Sequence, residues 1–149
     1  MDKIDLKILK LLQTDSGLSI SEIAAKVGLS TSPCWKRISR LREQGVIKGQ
    51  VSLLNASMLG FGLTAYVSIK TGEHSDNWLN KFSTTVTGMP EVMEFHRMAG
   101  DVDYMLKVVV ADIDAFDKFY KRLITSSAIS EVTSRFSMEK IKETTELPL

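Results

Sequence analysis

The chain has 149 residues, 44% of them hydrophobic and 25% charged, with a net charge of +1; this is the composition of an ordinary globular protein and argues against disorder. No apolar run reaches the about 18 residues of a membrane span, so no membrane partner is expected. A single cysteine makes no internal disulfide, and the opening MDKIDLKILKLLQTD carries Asp2, Asp5 and further charge inside its apolar stretch, unlike a secretion signal; a cytoplasmic protein is expected.

The small net charge hides a split. Residues 1–60 hold nine Lys/Arg and five Asp/Glu, and residues 61–149 hold ten and thirteen. A basic front half precedes an acidic back half, as in a chain with two tasks. Asp2 is placed to N-cap a first helix. Ile4, Ile8, Leu11 and Leu12 form its apolar stripe, and TDSG at 14–17 stops it. SISE, Ser19 to Glu22, has capping-box spacing; Ile20, Ile23, Ala24 and Val27 make the buried face of the helix it opens, and Gly28 ends that helix. Ser30 or Ser32 caps a third helix, with Pro33 in the first turn, where a missing N–H costs little. Two short helices joined by KVGLS predict a helix-turn-helix.

The third helix carries STSPCWKRISRLREQG, residues 30–45. At about 100° per residue, Cys34, Ile38 and Leu41 share a packed face. Lys36, Arg37 and Arg40 lie opposite with Gln44, with no acid close to their centre and Glu43 at the edge, and Trp35, Ser39 and Arg42 flank them. With the hydroxyls of Thr31 and Ser32 at its start, this face suits the major groove of double-stranded DNA: arginine bonds guanine edges, and lysine, serine and threonine hold phosphates. The ordinary alternative is a solvated basic face. Trp35 lies either on DNA sugars or against the neighbouring helix. Cys34 has basic neighbours that could activate a thiol, but its place beside Ile38 and Leu41 favours a small buried hydrophobe. GVIKGQVSLLN, residues 45–55, reads as strands closing a winged domain, with Lys48 at a phosphate. The DNA-binding domain is thus 1–54, and the glycine-containing 55–62 is a linker.

From 63 to 149 the pattern changes. LTAYVSIKT alternates as a strand; Trp78, Leu79, Phe82 and Val86 have helical spacing. EVMEFHRMA and YMLKVVVA are strands around the turn GDVD. Asp112 caps a helix whose stripe is Ile113, Phe116, Tyr120 and Leu123. In SEVTSRFSMEKI, Val132, Ser134, Phe136 and Met138 share a strand face. The order βαββαβ predicts a ferredoxin-like α+β domain, both helices on one sheet face. The strands are apolar on both faces, with Met93 and Phe95 set against Val92 and Met98, and Leu106 and Val108 against Met105 and Val109. Such a sheet asks for a partner, so a two-fold homodimer reading a palindromic operator is expected. His74 and His96 have no metal spacing, and no Ser-His-Asp set, phosphate loop or dinucleotide fingerprint appears. Neither an enzyme nor a cofactor is expected; pairing His96 with Asp103 as acid and base is the weaker alternative.

These segments together resemble the Lrp/AsnC (leucine-responsive, feast/famine) transcriptional regulators over nearly the whole chain. DKIDLKILKLLQTD resembles the family's opening helix, LSISEIAAKVGLSTSPCWKRISRLREQGVIKG its helix-turn-helix and wing, and MAGDVDY its Gly-x-x-Asp-Tyr turn; VTSRFSMEKIKETTELP also follows the family pattern. The resemblance implies dimers assembling further, commonly into octamers, and a small effector, usually an amino acid, bound between dimers. It points to Met98, Gly100, Asp103, Tyr104, Ser134 and Phe136 as effector-binding residues. Backbone N–H groups at Gly100 could hold a carboxylate and Asp103 an α-amino group; otherwise Asp103 caps a structural turn. The bulk of Arg135 and Phe136 would narrow such a pocket. The competing function is an architectural DNA-binding protein that needs no effector.

Overall fold

A computed structural model describes residues 1–73, 75–126 and 129–149, so His74 lies outside the described residues. The chain forms two units: Met1–Leu53 with the tail Lys142–Leu149, and Leu54–Ile141.

In the first unit, α1 (Lys3–Thr14), α2 (Ile20–Val27) and α3 (Thr31–Glu43) follow one another. Asp2 caps α1 by accepting from the N–H of Ile4 and Asp5, both at 2.9 Å, while the Asp5 carboxylate accepts the Asp2 N–H at 3.0 Å. The expected Ser19–Glu22 box forms at α2, with Ser19 N–H donating to Glu22 Oε2 at 2.7 Å. Gly28 ends α2 at φ +74°, a left-handed conformation that disfavours any side chain. At α3 the expected serine cap fails. Ser30 occupies the N-cap position without a side-chain bond. A cap hydroxyl accepts from the second or third N–H of the helix, and the third residue here is Pro33, which has none.

Ile8, Ile23, Ala24, Val27, Cys34 and Ile38 form the core, with Leu11, Leu12 and Ile47 packed at its margin. Cys34 is fully buried, which settles its role as a core residue. The strands expected after Gly45 do not form: the N–H groups of Val46 and Ile47 both turn back onto the Leu41 carbonyl. Beyond Ile47 the chain meets no strand within its own unit, and Val51, Leu53 and Leu54 stay exposed. The tail is tied to α1 by Gln13, whose side chain donates to the Leu147 carbonyl at 2.9 Å and accepts the Leu147 N–H at 3.0 Å.

The second unit opens with a single 3₁₀ turn, Ser57–Leu59, and continues as β1 (Leu63–Lys70), α4 (Asp76–Thr87), β2 (Val92–Arg97), β3 (Tyr104–Val110), α5 (Ile113–Ser126) and β4 (Glu131–Phe136). The sheet order is β2-β3-β1-β4, with every pair antiparallel, as a ferredoxin-like βαββαβ chain requires. Ala65, Val67 and Ile69 of β1 and Tyr104, Leu106 and Val108 of β3 pack under Trp78, Phe82, Val86, Phe116, Phe119 and Leu123 of the helices. Alternation fails at one point. A β-bulge between Val92 and Glu94 shifts the register, so Val92 and Phe95 both face the helices while Met93 is exposed; the expected Met93–Phe95 face does not exist. In α5 the stripe is rotated: Ile113, at the helix start, is exposed, and Phe119 is fully buried. β4 stops at Phe136, leaving Met138 exposed beyond the sheet.

The sheet face away from the helices is mixed. Tyr66, Met93, Met105 and Val109 share it with the pairs Lys107–Glu94 at 2.8 Å and Lys70–Glu131 at 3.1 Å. Arg135 Nη1 donates to Ser68 Oγ at 3.0 Å.

Phe82 is fully buried, with its ring centroid 4.7 Å from Trp78, 5.7 Å from Phe95 and 5.5 Å from Tyr104. Phe82→Ala is expected to destabilise the second unit by about 3–5 kcal/mol. Urea unfolding followed by Trp78 fluorescence in a Trp35→Phe background would measure it.

Candidate nucleic-acid interface and ligand site

The exposed end of α3 carries the expected groove residues. Thr31, Ser32, Lys36 and, beyond the helix, Lys48 are exposed, and Trp35 is half exposed. Lys36 makes no ion pair among the described residues.

Arg37 and Arg40 are placed differently from what the helix alone implies. The basic face does have acids near its centre, and they come from α1. Arg37 Nη1 lies 2.6 Å from Asp2 Oδ2 and 2.8 Å from Asp5 Oδ1, and Arg40 Nη2 lies 2.8 Å from Asp5 Oδ2. The Asp5 side chain is only 1% exposed, against 26% for Arg37 and 48% for Arg40. Burial pushes the Asp5 carboxyl up, but the Asp2 N–H, the Arg37 hydrogen bond and the field of Arg40 together outweigh it and leave it below the usual carboxylate range. The backbone N–H of Asp5, joined by Arg37, holds Asp2 down at about 2. The same contacts, first with Asp2 and then with Asp5, raise Arg37. Cys34 moves the other way, its thiol pushed up by burial with partial relief from Arg37, as suits an inert core thiol.

Sequence inspection missed Asp2 and Asp5 as partners of the basic face. The available signal was Asp5 itself, an acid lying three residues from Ile8 on the stripe that α1 buries.

The six candidate effector residues fall into separate groups. Met98 N–H donates to the Asp103 carbonyl at 2.8 Å, closing a turn in which Gly100 sits exposed at φ +134°. Asp103 Oδ2 accepts the Thr71 N–H at 2.8 Å, tying this turn to the end of β1. So Met98, Gly100 and Asp103 come together. Tyr104 points the other way, buried against Trp78, Phe82 and Phe95. Ser134 and Phe136 pair with Val67 and Ala65, whereas Tyr104 pairs with Ile69. At about 3.3 Å per residue, Phe136 is roughly 13 Å along the sheet from the turn. With Val132 they line a groove of about 370 Å³ beside Ile113, Phe116 and Tyr120 of α5. Ser134 Oγ is buried there without a hydrogen-bond partner among the described residues.

Comparison with known proteins bears on both regions. Residues 64–147 match the family model of the Lrp/AsnC ligand binding domain, and residues 1–48 a winged helix-turn-helix DNA-binding model. The whole chain is 53% identical to the DNA-binding transcriptional activator DecR of Escherichia coli, covering 99% of it. It is 46% identical to the glutamate uptake regulatory protein of Zymomonas mobilis, covering all of this chain and 91% of that one. An AsnC family transcriptional regulator from Agrobacterium tumefaciens superposes with a TM-score of 0.96 at 54% identity, over 99% of this chain and 97% of its own. A regulator from Neisseria meningitidis, solved in complex with L-Met, gives 0.95 at 31% identity, over 99% and 96%.

The acid pairs set a pH dependence. Asp2 is depressed to about 2 in the folded chain, below the about 3.9 of an unfolded aspartate. A depressed carboxyl stabilises the fold above its unfolded pKa, and that contribution disappears as pH falls through the folded value. The first unit is expected to lose stability between about pH 4 and pH 2. Arg37→Met should show a smaller loss over this range, measured by acid titration of Trp35 fluorescence.

Proposed function

Since the chain belongs to the Lrp/AsnC family of transcriptional regulators, we propose that α3 enters the major groove of operator DNA and that an amino acid binds at the Gly100–Asp103 turn. The protein is a DNA-binding regulator with an Lrp/AsnC ligand-binding domain, not an enzyme. The observation that carries the DNA reading is the exposed row Thr31, Ser32, Trp35 and Lys36 at the start of α3. Lys36 and Lys48 hold phosphates, and Arg40, with only one guanidinium nitrogen committed, reads a base edge.

For the ligand, support comes from a similar protein solved with L-Met and from the turn's chemistry. Asp103 Oδ1 has no hydrogen bond among the described residues and can take an ammonium group, while exposed backbone at Gly100 takes a carboxylate. Tyr66, Met93, Met105 and Val109 on the open sheet face favour a two-fold dimer, which would read a palindromic operator and assemble into octamers in the cytoplasm. Ser134 and Phe136 belong to this effector site only if assembly brings the groove beside α5 next to another copy's turn.

One observation favours a second reading. Asp103 already has a structural task, holding the Thr71 N–H, as a turn that binds no ligand would have it. The protein would then be an architectural DNA-binding protein independent of any effector.

Two measurements test these readings. Lys36→Ala is expected to weaken binding to all duplexes and to lower the slope of log affinity against log salt by about one; an unchanged slope removes Lys36 from the interface. Thermal-shift screening of the purified chain against the twenty amino acids should give at least one that raises Tm by mass action, and Asp103→Ala should abolish that rise. No rise at millimolar ligand favours the effector-independent reading.

A further inference from the structure

We propose that Asp5, a residue of α1, is a positioning residue for DNA recognition: it holds the guanidinium groups of Arg37 and Arg40 in place, so that the protein's selectivity among DNA sequences depends on it more than its affinity does. This rests on α3 being the DNA-facing helix.

Arg37 and Arg40 are three residues apart on α3, less than one helical turn, so their side chains emerge along the same edge. One carboxylate bridges the two. Asp5 Oδ1 takes Arg37 and Oδ2 takes Arg40, each at 2.8 Å, and the Asp2 N–H adds a third bond at 3.0 Å. Asp5 itself is fully buried, so it cannot trade these partners for water. A buried carboxylate without them would be strongly disfavoured; with them, the arginines are fixed as firmly as the helix packing is.

A guanidinium has five N–H donors in a rigid fork. Arg37 commits Nη1 to two carboxylates, while Arg40 commits only Nη2, and its side chain is 48% exposed. One N–H of Arg40 Nη2 is committed, and its second N–H still lies parallel to an N–H of Nε or Nη1, so Arg40 keeps one edge with the paired donors that bond guanine in the major groove. An arginine ordered on folding does not have to be ordered again on binding DNA. Asp5 has a second effect of opposite sign: its negative charge, beside two positive ones, weakens the sequence-independent attraction to phosphates. Asp5 thus restrains non-specific binding while favouring one register of base contact. A residue that only held α1 to α3 would not favour one register of base contact, so the affinity ratio between sequences is the readout that distinguishes the two roles.

The test uses the full chain and two duplexes: one selected by the wild-type protein from a random library, and a scrambled version. In Asp5→Asn, which keeps the shape and removes the charge, the affinity ratio between the duplexes is expected to fall about tenfold, the worth of one bidentate base contact. Affinity for the scrambled duplex should rise, with its salt slope steeper by about one. A folded Asp5→Asn protein with an unchanged ratio overturns the proposal, as does one in which both affinities fall together.

Should the variant not fold, the wild-type chain supplies the answer through nitrogen-15 NMR of arginine side chains. Slow rotation of the Arg40 guanidinium in the free protein is expected; fast averaging like that of free arginine overturns the proposal. Lys36→Ala and Arg40→Ala separate this from the underlying reading. If neither changes binding to the selected duplex, α3 does not face DNA and the role of Asp5 falls with it. If both weaken binding while Asp5→Asn leaves the ratio intact, only the role of Asp5 is lost.

Discussion

A carboxylate with almost no solvent exposure lies between the first and third helices, and its two oxygens answer two arginines on the third. Removing a charge from water is costly unless partners replace the lost solvation. Here two guanidinium groups and the capping N–H of Asp2 replace it. The capping box of α1 and the seating of α3 therefore share one residue. That geometry divides the basic residues of α3: Arg37 is largely committed to the fold, Arg40 partly, and Lys36 not at all among the described residues. The net charge of a helix face is a poor guide to what it offers a ligand when a neighbouring helix supplies acids.

The ligand-binding domain has a comparable division. Its sheet packs one face against the helices and keeps charge pairs and methionines on the other. The turn between β2 and β3 is tied to the end of β1 through Asp103, while the groove beside α5 runs along β4 from Val132 to Phe136. Of the groove residues on β4, Phe136 lies farthest from the turn, roughly 13 Å along the sheet.

Much of the architecture could be read from local pattern. Ser19 and Glu22 announced their box, Gly28 its turn, and Cys34, Ile38 and Leu41 their buried face, because each depends on residues within one or two helical turns. The order of strands and helices from 63 onward was equally legible. What escaped depended on contacts distant in sequence. Asp5 meets Arg37 and Arg40 across more than thirty residues, which a helical wheel of α3 cannot include. The bulge at Val92 moved Phe95 to the helix side, since one extra residue reverses the alternation that follows. Ser30 caps α3 without a side-chain bond, and Pro33 at the third helical position has no N–H to offer it. The residues after Gly45 looked like strands by composition, but a strand needs a neighbour, and the unit offers none. Of the six effector residues that the resemblance implies, Met98, Gly100 and Asp103 meet at the turn and Ser134 and Phe136 on β4, a distribution that no local pattern shows.

The central claim is that α3 meets DNA while still clamped to α1. A crystal structure of the full chain on its selected duplex tests it most directly. The account predicts Thr31 to Lys36 against the major groove, with both arginines still paired to Asp5 and the free edge of Arg40 on a base. Another surface of the protein in the groove, or both arginines swung off Asp5 onto phosphates, would contradict it.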